Sequence, residues 1–437
     1  MSGQPQAPAF DHKAHQRSIW IFYAVLAAAA IGTGFAGNVL SNYFKDAYQV
    51  TALQRGLIEF PRELPGLLSV FLVAMLAGLG DLRTAIFSQV LAVIGLVFLG
   101  FLTPPFAVML VFVFIHSLGD HIWMPLSSSI GMSLIHDEAN AGRLIGQFNG
   151  VATAFSMLAS LLVFWGFRTG VMSFLDPVKS VFLVAALMAL VVIGLLGYLY
   201  KHRQAMLGNP AELSGRKGLK GLLAGLTWPR FIIRREYRYY YVLAIIFGVQ
   251  KQIMIVYGPW VLIDLLDKKV DTLALLMMAG SFIGIFFTPA IGRWLDRFGI
   301  RTMLYLDAFS FIGVYIAYGI LTAGFVSGIF PMTGVFVLMT YGLFIFDRMS
   351  MQMGMVRSMY LRSVALSAED ISPTLMLGQG MDHIVSISMA ILGGLIWSKI
   401  GPQYVFFIAA ALSLANWYVA RHVKPGRSDV PVELGLD

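Results

Sequence analysis

The sequence predicts an all-α membrane protein with twelve transmembrane helices in two pseudo-symmetric six-helix bundles. Of its 437 residues, 58% are hydrophobic and only 12% are charged. The mean hydropathy is +0.76. Apolar surface in this excess cannot be hidden in a water-soluble core and has to face lipid. These observations exclude a soluble fold.

Apolar runs of about twenty residues, the length that crosses a bilayer, recur along the chain. We place them at 18–41, 52–79, 84–102, 106–134, 142–167, 179–200, 239–265, 271–293, 301–323, 331–356, 373–398 and 402–422. Prolines inside the runs, such as Pro61 and Pro65, argue against β-barrel strands. The chain has no cysteine, which excludes disulfides and thiolate metal sites.

The basic residues indicate the orientation of the chain. Roughly 21 fall on the predicted cytoplasmic side and about six on the other, which agrees with both termini in the cytoplasm. We expect the membrane to be a bacterial inner (plasma) membrane. The net charge of +8 therefore reflects topology and no nucleic-acid partner. The predicted organisation is a cytoplasmic tail (1–17), a first bundle (18–200), a basic cytoplasmic linker (201–238), a second bundle (239–422) and a second tail (423–437).

An internal repeat relates the fifth and eleventh predicted spans. The residues that match at equal spacing are Gly146, Gln147, Ser156, Met157 and Trp165 in the first copy and Gly378, Gln379, Ser388, Met389 and Trp397 in the second. Duplicated bundles of this kind form a binding site where they meet. The repeat therefore predicts a site between the two halves.

One loop carries a specific signature. The segment GRWLDRFGIR, from Gly292 to Arg301, resembles the loop between spans that marks major facilitator superfamily transporters. The equivalent loop of the first half keeps only Gly80, Asp81 and Arg83. The resemblance implies that family's fold and a transporter that alternates access between two six-helix bundles, and it does not indicate the substrate.

The same resemblance implies a cytoplasmic gate. In the family the loop aspartate, here Asp296, helps to lock the outward-facing state. Carried over, it would contact the start of the fifth span near Arg143, together with Arg357. The gating candidates in these loops are Asp81, Arg143, Gly292, Asp296, Arg297, Arg301 and Arg357. A plain turn with solvated charges is the alternative interpretation.

Ionisable side chains at bilayer depth cost at least about 2.5–3.5 kcal/mol each, so each one suggests a function. Asp120 with His121, and Asp382 with His383, are candidates for proton coupling because a carboxylate beside an imidazole can carry a proton. A fixed ion pair that only stabilises the bundle is the structural alternative. A divalent-metal site from His116, Asp120 and His121 is a third interpretation.

The other intramembrane polar residues are candidates for the substrate cavity. They are Asn38, His116, Gln250, Lys251, Gln252, Asp347 and Arg348. We expect Lys251 and Asp347 to neutralise each other, which would leave Arg348 to face an anionic or zwitterionic solute. Alternatively, Arg348 pairs with Asp347 or Asp120 and binds no substrate.

A charged stripe opens the second span. Arg55, Glu59, Arg62 and Glu63 recur at helical spacing, so their side chains share one face. They are gating candidates through switchable ion pairs with the other half. Local pairs that hold a kinked helix around Pro61 and Pro65 are the alternative.

Together these features predict a secondary active transporter that is not an enzyme. We find no nucleotide-binding motif, so a proton or ion gradient is the expected driving force and no cofactor is expected. The expected partners are the lipid bilayer and a small solute or ion, with the chain as a monomer. Alternatives are export of a divalent metal or metal chelate, efflux of amphipathic drugs or lipids, and, in a different class, an intramembrane lipid-modifying enzyme.

Overall fold

The structure, a computed structural model, describes residues 12–135, 138–207 and 232–423. Within these residues it contains helices and connecting turns and no β-strand. Most of the predicted linker, 201–238, and most of both predicted tails, 1–17 and 423–437, lie outside this part of the chain.

Seven helices form the first half. They are α1 (His12–Gly37), α2 (Leu40–Tyr48), α3 (Ala52–Leu76), α4 (Asp81–Phe101), α5 (Phe106–Met132), α6 (Glu138–Arg168) and α7 (Ser180–Leu207). Helix α7 continues beyond the predicted span end at 200, so the first residues assigned to the linker are helical. Proline in α3 and α5 is accommodated inside long helices, as expected in a membrane.

The second half begins with α8 (Arg238–Gln252). The further helices are α9 (Gly258–Trp260), α10 (Val270–Val326), α11 (Val335–Gln352), α12 (Met355–Val364), α13 (Ala368–Lys399) and α14 (Pro402–His422). The predicted runs 271–293 and 301–323 fall in α10, whose helical geometry is broken at Gly299, where φ is 75°. Glycine suits that position because it adopts positive φ without a steric penalty.

Nine helices within the described residues are long and apolar enough to cross a membrane. Many of their large apolar side chains are exposed, among them Trp165, Leu187 and Phe286. Lipid is the environment that accepts such surfaces. The chain is an integral membrane protein.

Each half packs mainly on itself. In the first half α1 packs on α6 and α7, and α4 packs on α5 and α7; in the second, α10 packs on α14 and α11, and α8 on α13. The largest contacts between the halves are α3 against α13 and α6 against α10, and α2 adds a smaller one against the π-helical turn at 261–265. Motion of one half relative to the other therefore has to proceed at these contacts.

The α3–α13 contact is unusually close because glycines line it. A Cβ atom on Gly56 would lie 2.2 Å from the backbone oxygen of Ala390, and one on Gly394 would lie 2.7 Å from that of Ala52. A Cβ on Gly66 would lie 2.2 Å from the His383 ring. Small residues let membrane helices approach to backbone contact. We call this contact the glycine seam.

The first long helix of each half is interrupted. Helix α1 ends at Gly37 and the chain becomes helical again at Leu40, while α8 passes into π-helical turns at 253–257 and 261–265. Irregular backbone at membrane depth is tolerated where it is buried in protein or lines a cavity. Interruptions at corresponding positions of two halves point to a binding region between them.

Candidate functional site

A cavity of about 450 Å³ lies between the halves. Its walls come from α1, α5 and α6 of the first half and from Ser281 on α10 of the second. The volume is in the range of small-molecule binding sites. The cavity can therefore hold a solute of modest size.

The cavity wall combines aromatic rings with neutral polar groups. Phe22, Trp123 and Phe148 supply the rings. The polar side chains are Thr33, Ser127, Ser128, Asn149, Thr153, Ser156 and Ser281. Thr33, Ser127 and Thr153 donate hydrogen bonds to carbonyls of their own helices, which leaves their oxygen atoms able to accept. Within the described part of the chain, no charged side chain belongs to this lining.

Ion pairs join the halves at one end of the molecule, which we call the Lys45 end. Lys45 bonds to Asp264, and Arg168 Nη1 lies 3.3 Å from Asp271 Oδ2. Lys269 Nζ lies 3.9 Å from Asp46 Oδ1, and its pKa is raised, first by the hydrogen bond to Asp267. Asn42 adds a hydrogen bond to the Lys268 carbonyl. These contacts join the two halves at this end.

At the opposite end, which we call the Arg143 end, the polar contacts among the described residues connect segments of the same half. Tyr23 donates to Gln147, Arg203 donates to Ser133, and Tyr237 donates to Asp370. The cavity is lined by the parts of α5 and α6 nearer this end and by the middle of α1. The two ends of the molecule thus differ in how the halves are joined.

Buried charges run along α3 between the ends. Glu59 is fully buried, and its Oε1 accepts hydrogen bonds from Arg55 Nη1 and Arg62 Nη1, each at 2.5 Å. Arg55 also reaches Ser41 at 3.2 Å. These local pairs match the structural interpretation of the predicted stripe.

The fourth member of the stripe, Glu63, reaches across to the second half. Its Oε2 lies 2.8 Å from Lys251 Nζ on α8 and 2.8 Å from His383 Nδ1 on α13. Lys251 also lies 3.2 Å from Asp382 Oδ2. Glu63 is therefore the carboxylate that bonds the two halves at mid-depth.

The histidines pair differently from the sequence interpretation. Asp120 Oδ2 lies 3.5 Å from His116 Nε2, one turn earlier on α5. The His121 ring instead lies 5.5 Å from the ring of His383 in the other half. The two Asp-His dipeptides are thus joined through their histidines. Among the described residues, no group of three potential ligands is arranged to hold a metal.

The expected Lys251–Asp347 pair is not formed, because Lys251 is taken by Glu63 and Asp382. Asp347 is buried, and its Oδ1 has no hydrogen-bond partner among the described residues. Arg348 lies over the Phe344 ring at 4.9 Å with its Nε buried and unpaired in that part of the chain. Neither side chain lines the cavity.

The remaining cavity candidates are mostly packed within one half. Asn38 donates to Ser160 at 2.9 Å, and Gln250 donates to Ser413 at 3.3 Å. Gln252 is buried, and neither atom of its amide is bonded within the described residues. These amides lie outside the cavity wall.

The loop candidates lie at the Arg143 end without a shared contact. Asp296, Arg297, Arg301 and Arg143 are exposed, while Gly292 is half-buried. Asp81 accepts a hydrogen bond from Ser129. Arg357 does not join Asp296: it is buried 3.7 Å from the Phe247 ring centre. The expected Asp296–Arg357 contact is therefore absent from the described residues.

Sequence reasoning missed the ion pairs of the Lys45 end and the buried Asp307. Asp307 Oδ2 accepts a hydrogen bond from Asn416 at 3.1 Å. Lys45, Arg168, Asp264 and Asp271 flank apolar runs, where charges ordinarily serve only as interfacial anchors. Their position at or near the end of a predicted span in both halves was the available signal.

The fold defines the class of the protein, an integral membrane protein built of helices around an internal cavity. Among the solved structures that share the fold is a variant of the nucleoside transporter NupG, with a TM-score of 0.71 and 13% identity over 93% of this chain and 100% of that chain. A variant of a peptide transporter POT in complex with sulfate has a TM-score of 0.69 and 14% identity over 93% of this chain and 94% of that chain. A D-xylose-proton symporter has a TM-score of 0.64 and 16% identity over 93% of this chain and 98% of that chain. No curated protein sequence matches the chain.

The family follows from the sequence. The profile of the Major Facilitator Superfamily matches residues 21–370. The chain belongs to this superfamily, and it is a transporter of the secondary type, not an enzyme. The resemblance inferred from the Gly292–Arg301 loop is confirmed.

Proposed function

We propose that the protein moves a small solute by alternating access and that this structure represents its inward-facing state. The observation that carries the proposal is the asymmetry of the two ends. Ion pairs join the halves at the Lys45 end, while the cavity lies toward the Arg143 end. A transporter that exposes its site to one side at a time requires such an asymmetry.

The proposal includes twelve membrane crossings in two six-helix halves. Nine are the apolar helices of the described residues, one of which, Val270–Val326, supplies two crossings on either side of Gly299. Helix α3 and the α11–α12 pair supply the other two. With both termini cytoplasmic in a bacterial inner membrane, the Arg143 end faces the cytoplasm, where the positive-inside rule favours its arginines.

The cavity favours an uncharged solute that carries hydroxyl or amide groups and an apolar ring or face. Its polar groups are neutral, and its rings offer stacking surfaces. This replaces the anionic cargo that Arg348 suggested from the sequence. Nucleosides and D-xylose, for which two of the structurally similar proteins are named, are solutes of this kind.

Proton coupling is proposed because buried carboxylates and histidines connect the halves. Glu63 binds both Lys251 and His383 of the second half. A protonation change there alters a contact that the transport cycle has to rearrange. A proton gradient would then drive flux without a bound cofactor.

The transport proposal is tested with purified protein in liposomes that carry a pH gradient. Four probes are used. Uridine represents a neutral ring-bearing solute and D-xylose a sugar, while benzoate represents an anion and tetraphenylphosphonium a cation. We expect uptake of a neutral probe that collapses when the gradient is dissipated. Uptake of benzoate alone would contradict the neutral cargo, and no protein-dependent flux of any probe would count against the whole proposal.

Asn149→Ala should weaken binding of the transported neutral probe about 5–10-fold, because one or two neutral hydrogen bonds are lost. The apparent KM in liposomes measures the effect. Ser388→Ala is the matched control, since Ser388 is exposed and donates to a carbonyl of its own helix away from the cavity. Equal KM values for both variants would remove Asn149 from the binding site.

Charge reversal at the Lys45 end should open it. Lys45→Asp places like charges at the Asp264 contact, and so does Asp264→Lys, whereas the double exchange restores attraction. The chain has no cysteine, so a single introduced cysteine can be labelled specifically. Val39 is fully buried, and Val39→Cys therefore reports whether this end opens. We expect alkylation by a membrane-impermeant maleimide to rise at least about fivefold in each single variant, a shift of about 1 kcal/mol. Unchanged labelling in both would mean that the pair does not close this end.

A further inference from the structure

We propose that His121 and His383 form one proton-binding site between the halves, with Glu63 as its counter-ion. The site deepens the proposed function, on which its role in coupling rests, by identifying where the coupling proton binds. His121 belongs to α5 in the first half and His383 to α13 in the second. Their ring centres are 5.5 Å apart.

Hydrogen bonds fix the Nδ1 atom of each ring as a donor. His383 Nδ1 lies 2.8 Å from the Glu63 carboxylate, and His121 Nδ1 lies 2.9 Å from the Ser117 carbonyl. Carboxylate and carbonyl oxygens accept, so each Nδ1 carries a hydrogen. Ser117 Oγ donates to the Arg62 carbonyl at 2.6 Å and offers His121 no competing proton. Proton gain must therefore occur at Nε2 of either ring.

The distance between the rings limits the site to one proton. Two imidazolium ions whose centres are 5.5 Å apart repel strongly when they are shielded from water. His383 is buried, and His121 is half-buried. Protonation of one ring therefore opposes protonation of the other, and the pair titrates as a unit.

The surrounding charges favour the uptake of that proton. The acids around the pair are Glu59, Glu63, Asp120 and Asp382, and the bases are Arg55, Arg62 and Lys251. Four acids and three bases leave one negative charge, which one imidazolium balances. His116 is bonded to Asp120. Arg357 and Tyr240 also interact electrostatically with Asp382, and Arg357 interacts with Asp307 as well.

A proton on the pair strengthens a contact between the halves. When the proton resides on His383, the His383–Glu63 hydrogen bond, whose acceptor is already a carboxylate, becomes an ion pair and gains the Coulomb attraction between the two charges. The His383 ring also packs against Gly66 in the glycine seam, so the bond joins α3 to α13 at mid-depth. Low pH should therefore stabilise the contact between α3 and α13, and release of the proton should weaken it.

The test is nuclear magnetic resonance of protein labelled with ¹⁵N-histidine in lipid nanodiscs, titrated between pH 4 and 9. His121→Asn and His383→Asn assign the two signals. We expect the wild-type rings to keep protonated Nδ1 atoms and to take up one proton between them at Nε2. Glu63→Gln should lower the midpoint by about one pH unit or more because it removes the counter-ion.

His202→Asn is the control, because His202 binds the Ala14 carbonyl away from the site. It should leave the titration of the pair unchanged. Glu63→Asp keeps the charge, so its titration midpoint should stay close to that of the wild type. This variant separates loss of the counter-ion from a folding defect. Two independent titrations with ordinary histidine midpoints, or no titration of either ring, would overturn the shared site.

This experiment needs no transported solute, so its failure and that of the proposed function are distinguishable. A single shared proton combined with pH-independent flux would leave the site standing and refute proton coupling. Proton-driven flux without titration of the pair would refute the site and leave the transport proposal standing.

Discussion

Replacing Glu59 by glutamine is expected to lower the free energy of unfolding by about 3–5 kcal/mol. Glu59 is fully buried and is the shared partner of Arg55 and Arg62, each at 2.5 Å. A neutral amide removes the carboxylate that these two cations share in a region of low dielectric. Denaturation of the purified protein, followed by circular dichroism and by size-exclusion chromatography, measures the loss.

Two further variants make this prediction specific. Glu369→Gln, at an exposed acid in the first turn of α13, should change the free energy by less than about 0.5 kcal/mol. The double variant Arg55→Met with Glu59→Leu, which removes a charge of each sign, should cost less than Glu59→Gln alone. A loss below about 1 kcal/mol for Glu59→Gln would show that the α3 charges are not a buried network.

Gly56→Ala should be the most damaging small substitution in the glycine seam. The added methyl group would lie 2.2 Å from the Ala390 carbonyl oxygen, which is backbone and cannot rotate away. Helices α3 and α13 must then separate, and overpacking of this kind costs about 3 kcal/mol. Because the same separation lengthens the Glu63–His383 contact, we also expect loss of transport. Thermal denaturation and liposome uptake measure the two effects.

Gly194→Ala on α7 is the matched control. A Cβ atom at Gly194 would meet nothing within 4 Å, so the substitution should be neutral or stabilise the helix by up to about 1 kcal/mol. If Gly56→Ala proved equally harmless, the halves could not be in backbone contact at that position.

The helices were largely predictable because the length of an apolar run is a local property. The predicted runs 402–422 and 84–102 correspond closely to Pro402–His422 and Asp81–Phe101. The interruption after Gly37 and the π-helical turns after Gln252 were not predicted, since apolar composition continues through both. Irregular backbone there depends on tertiary contacts, which overrule local preference.

The sequence predicted which residues belong to the site, but it did not predict which of them contact each other. Intramembrane charges stand out in a sequence because they are costly, and Glu63, His121, Lys251 and His383 were all identified. Which of them touch depends on how α3, α5, α8 and α13 rotate against each other. Spacing along one helix suggested Asp120 with His121, whereas the neighbour one turn away, His116, bonds Asp120 and leaves His121 for the other half.

The most direct test of alternating access is double electron–electron resonance, for which the absence of cysteine allows labels without background. Cysteines at Thr169 and Lys269 report on the Lys45 end, and cysteines at Arg143 and Arg293 report on the Arg143 end; all four residues are exposed. Distances are compared between pH 5 and pH 8, with and without the transported probe. We predict that the distance at one end lengthens as the distance at the other shortens. Distances that stay fixed at both ends, or that change in the same direction, would contradict alternating access.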